Sequence, residues 1–234
     1  MNYFWLSLKA IFFKDIVIEL RAKRVLPTMV VLGMLVVWIL WLAAEATGGS
    51  SAVIGPAALW VALLFSGLLA QERSFRSEQQ QDCIFGLLLA PVDVGTIFLA
   101  KLAVNVVMLC VFEVIVVPMV LLFFRLDPSG RWSDVIVVLV LGNIGISSIG
   151  TLFSAIVQFG SAVFSIVVLV VLLPMMIPAT FALLVLFGAL PEQVVGSGVL
   201  AFVGNFKAAV GYMVAFDAIF TVVCWMLFGF VVQE

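Results

Sequence analysis

The chain has 234 residues, of which 65% are hydrophobic and 10% charged, and its formal net charge is −2. Soluble domains are about half apolar and about a quarter charged, so this composition excludes a soluble globule. The sequence contains no histidine, which removes the commonest general base and the commonest metal ligand. Its three cysteines are widely separated, so neither a metal site nor a disulfide framework is indicated.

Six long apolar segments dominate the chain. A helix needs about 20 apolar residues to cross a bilayer. Residues 1–24 mix aromatic and charged side chains, which predicts a helix at the membrane interface; a plain polybasic tail is the alternative. The whole chain is therefore predicted to be one all-α transmembrane domain whose spans are residues 25–44, 53–70, 97–124, 134–157, 161–188 and 208–232.

The basic residues are unevenly distributed between the connections. Eight lysines and arginines precede the first span or flank the loop between the second and third spans, and three lie on the other side. By the positive-inside rule, this distribution predicts that both termini are cytoplasmic. Lys101, near the cytoplasmic end of the third span, is expected to extend its ammonium group toward that interface.

The second span runs directly into a charged stretch. The apolar run ends at Ala70 and is followed by QERSFRSEQQQD, an apolar patch and Pro91. This pattern predicts a short cytosolic helix over residues 72–92 that docks to a soluble partner. Alternatively, the charges only cap the second span and anchor it at the headgroups. The candidate docking residues are Glu72, Arg73, Arg76, Glu78, Asp82 and Phe85.

Polar side chains inside the spans are costly in hydrocarbon and are therefore candidates for function. The fourth span carries a polar stripe, which predicts either close helix packing or the wall of a polar path. The carboxyl groups in the third and sixth spans have the same two interpretations. Two prolines predict that the fifth span bends or breaks near residues 173–179. The candidate intramembrane residues are Asn105, Glu113, Asn143, Ser147, Thr151 and Asp217.

Motifs for nucleotide binding and catalysis are missing from the sequence. There is no G-x-x-x-x-G-K-[ST] motif, and even the dipeptide Gly-Lys does not occur. Catalytic sets that need histidine are impossible. The chain is therefore predicted to have no catalytic residues, no nucleotide site and no intrinsic cofactor, so a transporter built on it needs an external motor.

Six stretches of the chain carry a family resemblance, and they spread over nearly its whole length. They are GPAALWVALLFSGLLAQERSFRSEQQQD (residues 55–82, the most specific), GLLLAPVD, FLAK, FEVIVVP, LLPMMIP and AFDAIF. These stretches resemble the haem exporter protein B (CcmB) family, whose members are permease subunits of the ABC transporter in cytochrome c maturation.

The resemblance implies an ABC-2-like exporter fold in the bacterial inner membrane, with residues 72–92 as a cytosolic coupling helix. It implies two copies of this chain, a cytosolic ATPase subunit that binds ATP, a haem-handling membrane protein and a periplasmic haem chaperone. Haem is then the possible transported ligand, and no nucleic acid is expected.

Two other functions remain open from the sequence. An ABC-2-type permease for a lipid, polysaccharide or drug would share the fold and the charged stretch. A channel or secondary transporter without a motor is opposed by the missing inverted repeat and the sparse intramembrane charges.

Overall fold

The computed structural model describes residues 2–22, 25–79, 93–128, 130–156, 161–191 and 204–233. Within these ranges the regular structure consists of seven helices and contains no β-sheet. In chain order they are α1 (Asn2–Ala22), α2 (Val25–Thr47), α3 (Ser51–Gln79), α4 (Val94–Phe124), α5 (Trp132–Ile156), α6 (Ser161–Leu186) and α7 (Phe206–Gln233).

Helices α2 to α7 are each long and apolar enough to cross a membrane. The candidate span covers only part of α3, where it ends at Gln71, and part of α6, where it begins at Ile166. Helix α1 is not a candidate span, because charged residues interrupt its apolar ones. The prediction of an all-α membrane protein with six spans is therefore confirmed.

Helices α4 and α5 form the centre of the bundle. Helix α5 packs against α3, α4, α6 and α7, while α4 packs against α1, α2, α3, α5 and α7. Burial singles out α5, with 72% of its apolar span enclosed, whereas the span of α4 is 33% buried and those of α2 and α7 are 17% buried. Helices α2 and α7 therefore lie at the periphery.

Glycines explain why α5 can occupy the centre. The Trp60 ring of α3 lies against Gly142, the Met175 thioether of α6 lies against Gly145, and the Gln71 side chain of α3 lies over Gly150. A methyl group at any of these glycines would overlap the neighbouring side chain. Membrane helices associate through close packing of this kind, because lipid tails give no hydrophobic drive between helices.

The prolines do not interrupt their helices. Pro174 and Pro178 both lie inside α6, and α4 likewise continues through Pro118. The fifth span is thus not broken near residues 173–179, while a bend there stays a prediction. Pro174 and Pro178 remove the hydrogen bonds to the carbonyl groups of Val170 and Pro174, and both of those residues are exposed.

Contacts between the connections identify the two ends of the bundle. The Arg131 guanidinium pairs with Asp134 at 2.8 Å and lies 4.9 Å from the centre of the Phe206 ring. The α4–α5 connection and the start of α7 therefore share one end. At the other end, the start of α4 meets α7, where Trp225 lies against Gly95.

Candidate functional site

Two hydrogen bonds between side chains join α4 to α5. Asn105 Nδ2 donates to Thr151 Oγ1 at 2.8 Å, and Asn143 Nδ2 donates to Glu113 Oε2 at 2.9 Å. On each helix the two partners are eight residues apart, so they lie on one face. The two bonds thus fix an antiparallel register, and that register places Leu109 opposite Ser147.

Helix α3 contributes a third polar side chain to this place. Gln71 is 1% exposed, and its Nε2 group donates to the backbone oxygen of Ile146 at 3.4 Å. We use the name polar seam for the six residues where α3, α4 and α5 meet: Gln71, Asn105, Glu113, Asn143, Ser147 and Thr151. The seam contains five of the six polar residues predicted inside the membrane.

The polar stripe of α5 faces other helices of the same chain. Asn143, Ser147, Thr151 and Ser154 are all fully buried. This burial agrees with both interpretations of the stripe, because the wall of a closed path is buried as well. Gln158, which continues the stripe in the sequence, lies outside the described residues.

Sequence reasoning missed Gln71, because the residue lies where the apolar run ends and the charged stretch begins. Helical spacing was the available signal. Gln71 lies four residues after Gly67 and eight after Leu63, and both of those positions are buried. It therefore continues the buried face of α3, while the charges begin one residue later.

Asp217 is separated from the polar seam. Its carboxyl group lies on Gly145 of α5, with Oδ1 2.8 Å from where a methyl group at Gly145 would be. Gly145 is two residues from both Asn143 and Ser147, which puts it on the opposite side of α5. The two buried carboxyl groups, Glu113 and Asp217, therefore lie on different faces of the central helix.

Helix α1 is fastened to α4 by an ion pair. Lys101 Nζ lies 3.6 Å from Asp15 Oδ2, and the two side chains are only 7% and 11% exposed. Lys14 also contacts Asp15, at 3.1 Å. Lys101 therefore points to a largely buried carboxylate of α1. The sequence predicted that its ammonium group would extend toward the cytoplasmic interface.

A narrow cleft lies beside this ion pair, between α1, α2, α3 and α4. Glu19 of α1 lines it together with Asp15, Gln71 and Asn105. Burial, followed by the nearby charge of Asp15, raises the pKa of Glu19 above its ordinary value of 4.5. The cavity volume is about 20 Å³, which is room for about one water molecule and far below the several hundred Å³ of a typical ligand pocket.

The predicted docking residues fall into two groups. Glu72, Arg73, Arg76 and Glu78 lie on α3, which continues as one helix to Gln79, eight residues beyond the end of its candidate span. Asp82 and Phe85 lie outside the described residues. The first part of the predicted 72–92 helix is therefore continuous with the second span.

The described parts of the chain contain no group of three or more metal-ligating side chains. Fold and site together define a polytopic, all-helical membrane protein with a polar seam at its centre and a charged helical extension at one end of the bundle.

A family comparison identifies the protein more closely. The family described as CcmB protein matches residues 6–224, so the chain belongs to the CcmB family. A search of the curated proteins finds no significant match. The CcmB family is the haem exporter permease of the ABC transporter of cytochrome c maturation. The chain is thus a transmembrane permease subunit that works with an ATPase and is not an enzyme by itself. A permease for another substrate is not favoured.

Proposed function

We propose that this chain lies in the bacterial inner membrane with both termini in the cytoplasm and couples ATP hydrolysis by a separate subunit to haem delivery on the periplasmic side. Two copies of the chain assemble with two copies of the ATPase. A haem-handling membrane protein and a periplasmic haem chaperone receive the haem, either by transport through this subunit or by release of the loaded chaperone.

One observation carries the coupling proposal. Helix α3 does not end with its apolar residues but continues for two further turns as a charged helix. A rigid helix transmits displacement along its axis, so a partner bound to residues 72–79 acts directly on the α3 face that holds Gln71 in the polar seam. Charges on the extension set register and partner choice, and neighbouring apolar side chains supply most of the affinity.

The orientation rests on the basic residues. In the sequence, eight precede α2 or flank the α3–α4 connection, and three follow α4 or begin α7. This distribution favours a cytoplasmic location for the extension, which is where a soluble ATPase is available.

Charge reversal tests the coupling proposal. Arg73→Glu combined with Arg76→Glu should leave six spans inserted, release the ATPase from the membrane and abolish c-type cytochromes. Arg125→Glu combined with Lys207→Glu is the matched control, because it makes the same charge change with exposed side chains at the opposite end. Co-purification of the ATPase and the yield of c-type cytochromes are the readouts, and a reporter fused at Glu234 checks the orientation. If the ATPase still co-purifies with the first variant and its hydrolysis stays coupled, the docking proposal is wrong.

Reconstitution separates the two routes of delivery. The permease, ATPase and haem-handling protein are placed in liposomes, and haem movement and chaperone release are measured separately after ATP addition. ATP-dependent movement of haem without the chaperone would support transport. Chaperone release without haem movement would support the release route. If neither haem movement nor chaperone release is observed, the proposed function is wrong.

A further inference from the structure

The buried oxygen atoms of the polar seam are incompletely hydrogen-bonded. Gln71 Oε1, Glu113 Oε1, Asn143 Oδ1 and Ser147 Oγ are inaccessible and have no hydrogen-bond partner among the described residues. The amide oxygens of Gln71 and Asn143 can only accept a hydrogen bond, and so can Glu113 Oε1 when its carboxyl is ionised. Buried acceptors without donors are unfavourable. For the two amide oxygens, and for Glu113 Oε1 when its carboxyl is ionised, the missing partner is therefore a hydrogen-bond donor such as water, or a small cation.

The cleft beside α1 offers an approach to these atoms. Gln71 and Asn105 belong both to the cleft lining and to the seam, so the two spaces share walls. The carboxyl groups of Asp15 and Glu19 stand at its α1 side, and Glu19 Oε1 is likewise buried without a partner among the described residues. Lys14 and Lys101 pair with Asp15 in the observed conformation, so the entrance becomes net negative, which favours cations over anions, once Lys101 is released.

Two contacts close this approach in the observed conformation. The Asp15–Lys101 ion pair holds α1 over the cleft. Deeper in the bundle, the Leu109 and Ile146 side chains come together at Gly67, within 3.2 and 3.4 Å of where its methyl group would be. Asn143 and Glu113 lie beyond this apolar constriction in the register of α4 and α5, and Ser147 lies level with it, opposite Leu109. Apolar constrictions of this kind gate membrane pores by excluding water.

We propose that the polar seam is a cation-selective hydrated passage that leads from the α1 end to the middle of the membrane. It is closed by the Asp15–Lys101 ion pair and by the Leu109–Ile146 constriction. The outer cleft holds water in the closed state, and release of α1 from Lys101 opens the inner part to small cations. The side of the membrane from which the passage opens follows from the proposed orientation. The passage itself does not depend on haem being the cargo.

Hydroxyl-radical footprinting tests the water in the native protein. Radicals formed from bound water oxidise adjacent methionines. Met29 and Met108 line the cleft, whereas Met175 is equally buried but packs on Gly145, outside it. In the purified complex with its ATPase, Met29 and Met108 should be oxidised several times faster than Met175. Equal protection of all three would overturn the hydrated cleft.

Thiol labelling tests whether the passage opens at the constriction. Ser147→Cys places a thiol in the seam. Ser148→Cys is the matched control, because Ser148 is also fully buried, at the same depth, but donates to the Gly145 backbone oxygen at 3.1 Å and is not in the seam. Each variant is made with and without Lys101→Met, and the native cysteines provide a common baseline. Gel filtration with the ATPase checks that each variant assembles.

In membrane vesicles, Lys101→Met should accelerate labelling of Ser147→Cys by a trimethylammonium-ethyl methanethiosulfonate, and leave Ser148→Cys unreactive. After correction for reactivity with a free thiol, the sulfonate analogue should be about tenfold slower or more. Equal rates at the two positions, or equal rates for the two reagents, would overturn the proposal. Reagent applied to each side separately reports orientation, so a reaction from the periplasmic side alone would contradict the proposed topology and leave the passage standing.

Discussion

The contact between Gly142 and Trp60 gives a prediction whose size follows from the structure. Trp60 is 2% exposed, and a methyl group at Gly142 would overlap two atoms of its six-membered ring. The indole is rigid and enclosed, so it cannot turn away as a long flexible side chain would. Gly142→Ala should therefore destabilise the bundle, since forcing extra methyl groups into a packed core costs about 1–3 kcal/mol.

Helix propensity acts against this loss. Alanine is favoured over glycine in a helix by about 1 kcal/mol, so the net destabilisation expected for Gly142→Ala is about 0–2 kcal/mol. At the upper end, a loss of about 2 kcal/mol lowers the ratio of folded to unfolded protein by a factor of about 30. Gly211→Ala is the matched control, because Gly211 lies on the exposed face of α7 and has nothing within 4 Å of an added methyl group.

Reversible unfolding in mixed micelles of increasing SDS content, followed by tryptophan fluorescence, measures both variants. The same measurement on Trp60→Leu and on the double variant completes a cycle. The double variant should lose less stability than the two single variants lose in sum, because the alanine methyl group occupies space that the smaller leucine side chain leaves. A Gly142→Ala variant as stable as Gly211→Ala, or strictly additive losses, would refute the packing argument.

Two further predictions concern α5 and α1. Ser147→Leu and Ser154→Leu should each reduce formation of a detergent-stable complex, because both positions are fully buried against other helices; normal assembly with lost cytochrome c yield would instead indicate a path. The pKa of Glu19 is raised by burial and by Asp15, so the folded protein binds more protons than the unfolded one, and stability should fall as the pH rises above about 4.5. Glu19→Gln should weaken this pH dependence, which SDS unfolding measures at pH values on either side of the titration of Glu19. An unchanged pH profile in the variant would contradict the assignment to Glu19.

Much of the fold was predictable because span length is a local property. Each apolar run is solvated by lipid independently of its neighbours, so hydropathy alone gave six spans in the right order. The spacing of Asn143, Ser147 and Thr151 also predicted one shared face, and that face is buried. The prolines of α6 show the limit of local reasoning, since both lie inside one continuous helix.

The sequence by itself determined that this is a membrane protein, the number of its spans and its family, because composition, run length and motif are read along the chain. Only the tertiary structure decided that Gln71 belongs to the buried seam, that Lys101 pairs with Asp15, and that Glu113 and Asp217 lie on opposite sides of α5. Helical periodicity states which residues share a face, but it does not state which helix that face meets. That choice depends on how well distant surfaces fit, and here the glycines of α5 determine it by admitting the large side chains of α3 and α6.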